Sequence, residues 1–202
     1  MMHDPTTLIF IALAYLIGSI PFGLIIGRLF GAGDVRTQGS GNIGATNVLR
    51  LAGKKAGILT LILDMAKGGL PALVASFWFA DGALQVGLTA LAGFIGHLYP
   101  IFLGFKGGKG VATGLGGLLG WVPLFGLLGL LTWLGTAFIT RISSLSALVA
   151  FAVMPLLFFM RDQTLSADLL IIVFITNLIF WRHRSNIKRI INNTESRIGK
   201  KG

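Results

Sequence analysis

The sequence predicts an all-α, polytopic integral membrane protein with seven helical elements, and three observations point there. Of its 202 residues, 54% are hydrophobic and only 12% are charged, with a mean hydropathy of +0.82. Soluble domains carry about 25% charged residues, so a chain this size lacks the polar groups to cover its surface. Apolar runs long enough for a hydrocarbon core of ~30 Å recur along the chain. The charge is also lopsided, with 17 Lys+Arg against 7 Asp+Glu. In a membrane protein that imbalance records topology, not nucleic-acid binding. Cysteine is absent, which excludes disulfides, thiolate nucleophiles and Cys-ligated zinc.

The first run covers residues 6–30, interrupted at Ser19-Ile20-Pro21. No basic residue precedes Arg28 and no small-residue cleavage site is present, so it reads as a retained span and not a signal peptide. Spans follow at 57–80 and 84–105, and again at 145–160 and 165–181. Between them, residues 111–140 would run ~45 Å as one helix, too long for the core. Trp121-Val122-Pro123 divides this stretch, and four glycines between 114 and 120 soften its first half. A short element at 113–120 and a span at 124–139 are therefore expected. The short element must bury its backbone against protein.

Charge supports that division. With seven elements and the N-terminus outside, fifteen of the 17 basic residues fall on the cytoplasmic side, many in the 31–55 loop and the tail 182–202. The exceptions are Arg161, beside Asp162, and Lys67, inside a span. Six spans would place either the loop or the tail outside, against the positive-inside bias. Residues 1–202 thus read as one membrane domain.

The informative polar residues gather in the loops of one face. The first loop carries Gly39-Ser40-Gly41-Asn42-Ile43-Gly44-Ala45-Thr46-Asn47 and Arg50. It satisfies GxGxxG formally, but a membrane helix precedes it where a dinucleotide fold needs a strand. Its small residues can bring amides to an anion, or it can simply turn and cap a helix. The second loop, Lys106-Gly107-Gly108-Lys109-Gly110, fails the Walker A pattern yet places two lysines and three glycines at a helix start. Arg141, Ser143 and Ser144 lie in the third turn, and His183 and Asn186 in the tail with Glu195, the chain's one glutamate. Asp64 and Lys67, three apart within a span, read as an internal structural pair. Singly, each feature has a plain structural reading. Together, cations, glycines and hydroxyls on one face suit an anionic, phosphorylated substrate.

At three blocks the sequence resembles the bacterial membrane acyl-phosphate:glycerol-3-phosphate acyltransferases, the PlsY family. The blocks are Gly39–Asn47 with Arg50, Lys106–Thr113, and His183 with Asn186-Ile187-Lys188-Arg189 and Glu195. The resemblance spans the whole chain. It implies acyl transfer from acyl phosphate to the sn-1 hydroxyl of glycerol 3-phosphate, giving lysophosphatidic acid and phosphate. It also implies seven helices in the bacterial inner membrane, a site facing the cytoplasm, and no cofactor, metal or obligatory protein partner. By that resemblance Ser40, Arg50, Lys109, His183 and Asn186 carry the reaction. The candidates to line the substrate phosphates are Gly39, Gly41, Asn42, Thr46, Asn47, Lys106, Gly107, Gly108, Gly110, Arg141, Ser143 and Ser144, and Asp64, Lys67 and Glu195 are read as structural.

Acyl phosphate is already activated, so the enzyme has to hold two phosphates, offset their repulsion and align a hydroxyl with the acyl carbonyl. No His-x4-Asp motif is present: Phe102 and Lys188 stand where His97 and His183 would need the aspartate. His183 as base, a substrate phosphate as base, and a Ser40 acyl-enzyme all remain open, the last ranked lowest. The rival from another class is a transporter of a small phosphorylated solute, which would need a polar path and internal repeats. A CDP-alcohol phosphotransferase would need a metal-binding carboxylate cluster, which seven scattered acidic residues do not supply.

Overall fold

A computed structural model describes residues 5–80 and 82–199. The last three residues of the basic tail lie outside that range. Among the described residues helices alternate with loops and no strand is present: α1 (Pro5–Gly18), α2 (Phe22–Leu29), α3 (Ala45–Trp78), α4 (Ala83–Leu98), α5 (Val111–Trp121), α6 (Pro123–Thr140), α7 (Ser143–Asp162), α8 (Ala167–Arg182) and α9 (Arg184–Ile191). Five stretches are long and apolar enough to cross a membrane: Pro5–Leu29, Ala45–Trp78, Ala83–Leu103, Pro123–Thr140 and Ser143–Asp162. The protein is an all-α integral membrane protein. Of the seven expected elements, α5 and α8 fall short of that length, with 11 and 16 residues.

Residues 6–30 divide into α1 and α2 at the expected interruption, because Pro21 offers no amide and biases Ile20 away from helix. Two expected boundaries move, each for a local reason. The expected 31–55 loop ends early: α3 begins at Ala45, and its 34 residues bend at Gly53 (φ 85°, ψ 178°). That backbone conformation is open to glycine and strained for any other residue. Arg50 therefore rides on a helical arm ahead of the crossing, not on a loop. The span expected at 84–105 stops at Leu98, where Pro100 and a single 3-10 turn, Ile101–Leu103, turn the chain. The division at 121–123 is present, with Pro123 as the first residue of α6.

Two compact units divide the chain at Val122 and Pro123. In the first, helices meet backbone to backbone through glycine. A Cβ built on Gly68 would lie 2.1 Å from the Thr113 carbonyl oxygen, and one on Gly116 would lie 2.0 Å from that of Met65. These bare faces seat α5 on α3, and all but three residues of α5 are buried. Where lipid removes the hydrophobic drive, such close approach supplies the packing energy. Side chains hold the second unit instead. The Phe125 and Phe158 rings meet edge-on at 5.1 Å, and the Arg161 guanidinium stands 4.8 Å from the Phe158 ring while pairing with Asp162 and Asp168.

Candidate active site

In the first unit, two loops surround one hydrophobic cluster. Val35, Ile43 and Val48 are buried with Leu24 and Ile26 of α2, and Leu103, three residues before Lys106, packs against the same group. The first loop is organised by Asn47, 2% exposed at the start of α3. Its Oδ1 accepts the Ser40 amide at 3.0 Å, and its Nδ2 donates to the Val35 and Gln38 carbonyls at 2.9 and 3.2 Å. Gly39 needs a left-handed φ of 59°, and a side chain there would collide with Asn47 Oδ1. Asn47 thus shapes the turn, which presents Ser40 as an exposed residue. Asn42 and Thr46 are half-buried beside it, and Arg50 is exposed on the arm. Arg36 is committed to Asp34 through a bidentate pair, and this holds the Asp34 carboxyl down to about 2.

The second loop sits on the end of α4. The amides of Gly107 and Gly108 donate to the Leu98 and His97 carbonyls, both at 3.1 Å. These two amides satisfy carbonyls that a helix end leaves orphaned. Gly110 (φ 82°) precedes α5, packed so closely on Phe94 and Leu98 that a Cβ would lie 2.3 Å from the Phe94 ring. Lys106 is exposed and Lys109 half-buried. The Asp64–Lys67 pair expected in the span is present at 2.7 Å, both side chains 2% exposed. Sequence reasoning missed His97, buried at 4% and 3.8 Å from Asp64. An ionisable residue inside an apolar span was the available signal.

The second unit gathers the remaining residues. His183 is a hinge between α8 and α9, 2% exposed, with its Nδ1 2.8 Å from the Ile179 carbonyl oxygen. A carbonyl only accepts, so the neutral ring carries its proton on Nδ1 and its lone pair on Nε2. Asn186, one turn on, donates to Glu195 Oε1 at 2.6 Å. Ser144 Oγ donates to the same oxygen at 2.8 Å, and Arg189 Nε donates to Oε2 at 2.6 Å. Burial pushes the Glu195 carboxyl up, but these three donors outweigh it and hold the group below its ordinary value of 4.5. The Ile198 amide donates to the Arg141 carbonyl at 2.7 Å, returning the tail to the turn that also carries Ser143. The structure thus joins Ser144, Asn186 and Glu195 in one network. Among the described residues no group of three His, Cys, Asp or Glu side chains could hold a metal.

The family described as glycerol-3-phosphate acyltransferase matches residues 8–193. The chain belongs to that family. A glycerol-3-phosphate acyltransferase of Sinorhizobium fredii is 51% identical over 198 residues, covering 98% of this chain and 95% of the relative. One of Brucella canis is 52% identical over 188 residues, covering 93% and 91%. Among solved structures, the glycerol 3-phosphate form of PlsY, an integral membrane glycerol 3-phosphate acyltransferase, is similar at TM-score 0.89 and 43% identity, each chain covered to 96%. Its lysophosphatidic acid form is similar at TM-score 0.86 and 42% identity.

Proposed function

We propose that this acyltransferase moves a fatty acyl group from acyl phosphate to the sn-1 hydroxyl of glycerol 3-phosphate, releasing lysophosphatidic acid and inorganic phosphate. The observation that carries the reading is the likeness at 43% identity to an acyltransferase structure holding glycerol 3-phosphate. The residues support the chemistry. Phosphate is a good leaving group, so no nucleotide or metal is needed to activate the acyl carbon. Arg50, Lys106 and Lys109 hold substrate phosphate and offset the repulsion of two anions, with Ser40 donating a hydrogen bond. Arg141, Ser143 and the amides beside Asn42 and Thr46 add donors of the same kind.

His183 is the general base in this reading. Its Nδ1 proton faces the Ile179 carbonyl, so Nε2 takes the hydroxyl proton as oxygen attacks the acyl carbon, and the phosphate leaves with the acyl–oxygen bonding pair. Asn186 is fixed by Glu195, and on the Arg189–Glu195 side the network holds α9 in place. Seven helical elements carry these groups, with α1 and α2 as one crossing and the N-terminus outside. The basic loops and tail then face the cytoplasm, which the positive-inside bias supports. An impermeant thiol reagent reading a cysteine placed at Ser185 tests that orientation.

The experiment is the purified protein in detergent with acyl phosphate and glycerol 3-phosphate, without added metal or nucleotide. Equimolar phosphate and lysophosphatidic acid are expected. Transfer from an acyl thioester but not from acyl phosphate overturns the donor, and vesicle uptake with no product overturns the enzyme reading in favour of a transporter. In the same assay His183→Gln should lower kcat about 100-fold or more. Near-normal turnover would leave a substrate phosphate as the base.

A further inference from the structure

A line of buried polar side chains lies beneath the lysine-glycine loop, and the chemistry above does not use it. Asp64 and Lys67 stand one turn apart on α3, paired at 2.7 Å. Lys67 Nζ also donates to the Ile20 carbonyl at 2.8 Å, in the break between α1 and α2. On the other side, Asp64 Oδ1 stands 3.8 Å from Nδ1 of His97, in the last turn of α4. His97 in turn is the seat of the loop. Its carbonyl accepts the Gly108 amide at 3.1 Å, and its ring lies so close to Gly108 that a Cβ there would fall 2.2 Å from Nε2.

Charges at the depth of a membrane span are costly, and an ion pair that served only to neutralise itself could be replaced by apolar residues without loss. This pair does more than that, because a third polar side chain faces Asp64 and carries the loop on its other edge. A planar ring held between a carboxylate and a glycine backbone is a rigid spacer, which a flexible apolar side chain of the same volume is not.

We infer that His97, buried beside the Asp64–Lys67 pair, is a positioning residue that sets the height of the Gly107–Lys109 turn and so the place of Lys109 against a substrate phosphate. This rests on reading Lys106–Thr113 as a phosphate-holding loop. In this role His97 acts through Gly108.

A double-mutant cycle in the acyl-transfer assay tests it, with Lys109→Ala as the reference. Gly108 does not have a left-handed φ, so Gly108→Ala changes space alone. It should raise KM about tenfold for the substrate whose KM Lys109→Ala also raises, with kcat changing less than about threefold. His97→Gln should raise the same KM by a smaller factor. Combining His97→Ala with Gly108→Ala opens room for the new methyl and should recover at least about threefold of the KM lost in Gly108→Ala. Additive effects, or wild-type KM values in His97→Gln and His97→Ala, overturn the inference. A wild-type KM in Lys109→Ala overturns instead the loop reading beneath it. Should the single His97 variants not fold, the comparison of Gly108→Ala with the double variant still decides.

Discussion

Two segments of this protein solve one problem in opposite ways. Residues 34–50 follow α2 and run into α3, residues 182–198 run from the end of α8 through α9, and each must hold an irregular stretch of chain in place. The first is organised by a neutral amide: Asn47 takes one amide hydrogen and gives two to carbonyls. The second is organised by a charge: Glu195 collects a hydroxyl, an amide and a guanidinium. A carboxylate makes stronger hydrogen bonds than an amide, but its grip depends on protonation. The Asn47-centred turn is therefore built without a titrating organiser, apart from the Asp34–Arg36 pair at the start of its segment, and the Glu195 network is not.

Removing the charged organiser should have the largest effect. Glu195→Ala leaves Ser144, Asn186 and Arg189 without their common acceptor and should destabilise the second unit by about 3 kcal/mol. A lowered unfolding midpoint in detergent and faster proteolysis after Arg182 measure it; an unchanged protein would mean that the network is incidental. Asn47→Ala should cost less, about 2 kcal/mol, because only neutral partners are orphaned. Its readout is loss of acyl transfer at the Ser40 loop, with Asn47→Asp worse than Ala, since a carboxylate would face two carbonyls. If Asp were tolerated better than Ala, the amide would not be the organiser. Acidification should give the smallest effect and the sharpest contrast. Glu195 has a folded pKa below 4.5, so its stabilisation is complete above that value and is lost as pH falls through the folded pKa. Proteolysis of the tail should rise below pH 4.5 in the wild type and stay flat in Glu195→Gln, while the first loop should respond only as pH falls toward about 2, where the Asp34–Arg36 pair is lost.

Much of this was legible in the sequence, and the failures have physical causes. Pro123 after a glycine-rich run marked the division of residues 111–140, because proline fits the first position of a helix without losing a hydrogen bond. The Asp64–Lys67 spacing was enough to expect their pairing. The early start of α3 was legible only as an alternative, a capped helix within the 31–55 loop; what joins that arm to the span is Gly53, whose positive φ bends a helix that continues on both sides. His97 was missed for a different reason. Its partners, Asp64 and Gly108, are far from it in sequence, and only tertiary packing brings a histidine and a loop glycine into contact. The glycines of the second loop were read as open to an anion, but packing places two of their amides on α4 instead, where Leu98 and His97 needed donors.

The shortness of α5 has a consequence for the depth of its loop end. Trp121 Nε1 donates to the Ala83 carbonyl, so the far end of α5 is level with the start of α4. At 1.5 Å per residue α5 runs about 16 Å and α4 about 24 Å, so α5 falls short at its loop end by roughly 8 Å. Gly110, which lies against Phe94 a full turn inside α4, marks that recess. In the reading proposed above, a substrate phosphate held at the start of α5 would sit about a turn and a half below the end of the neighbouring helix.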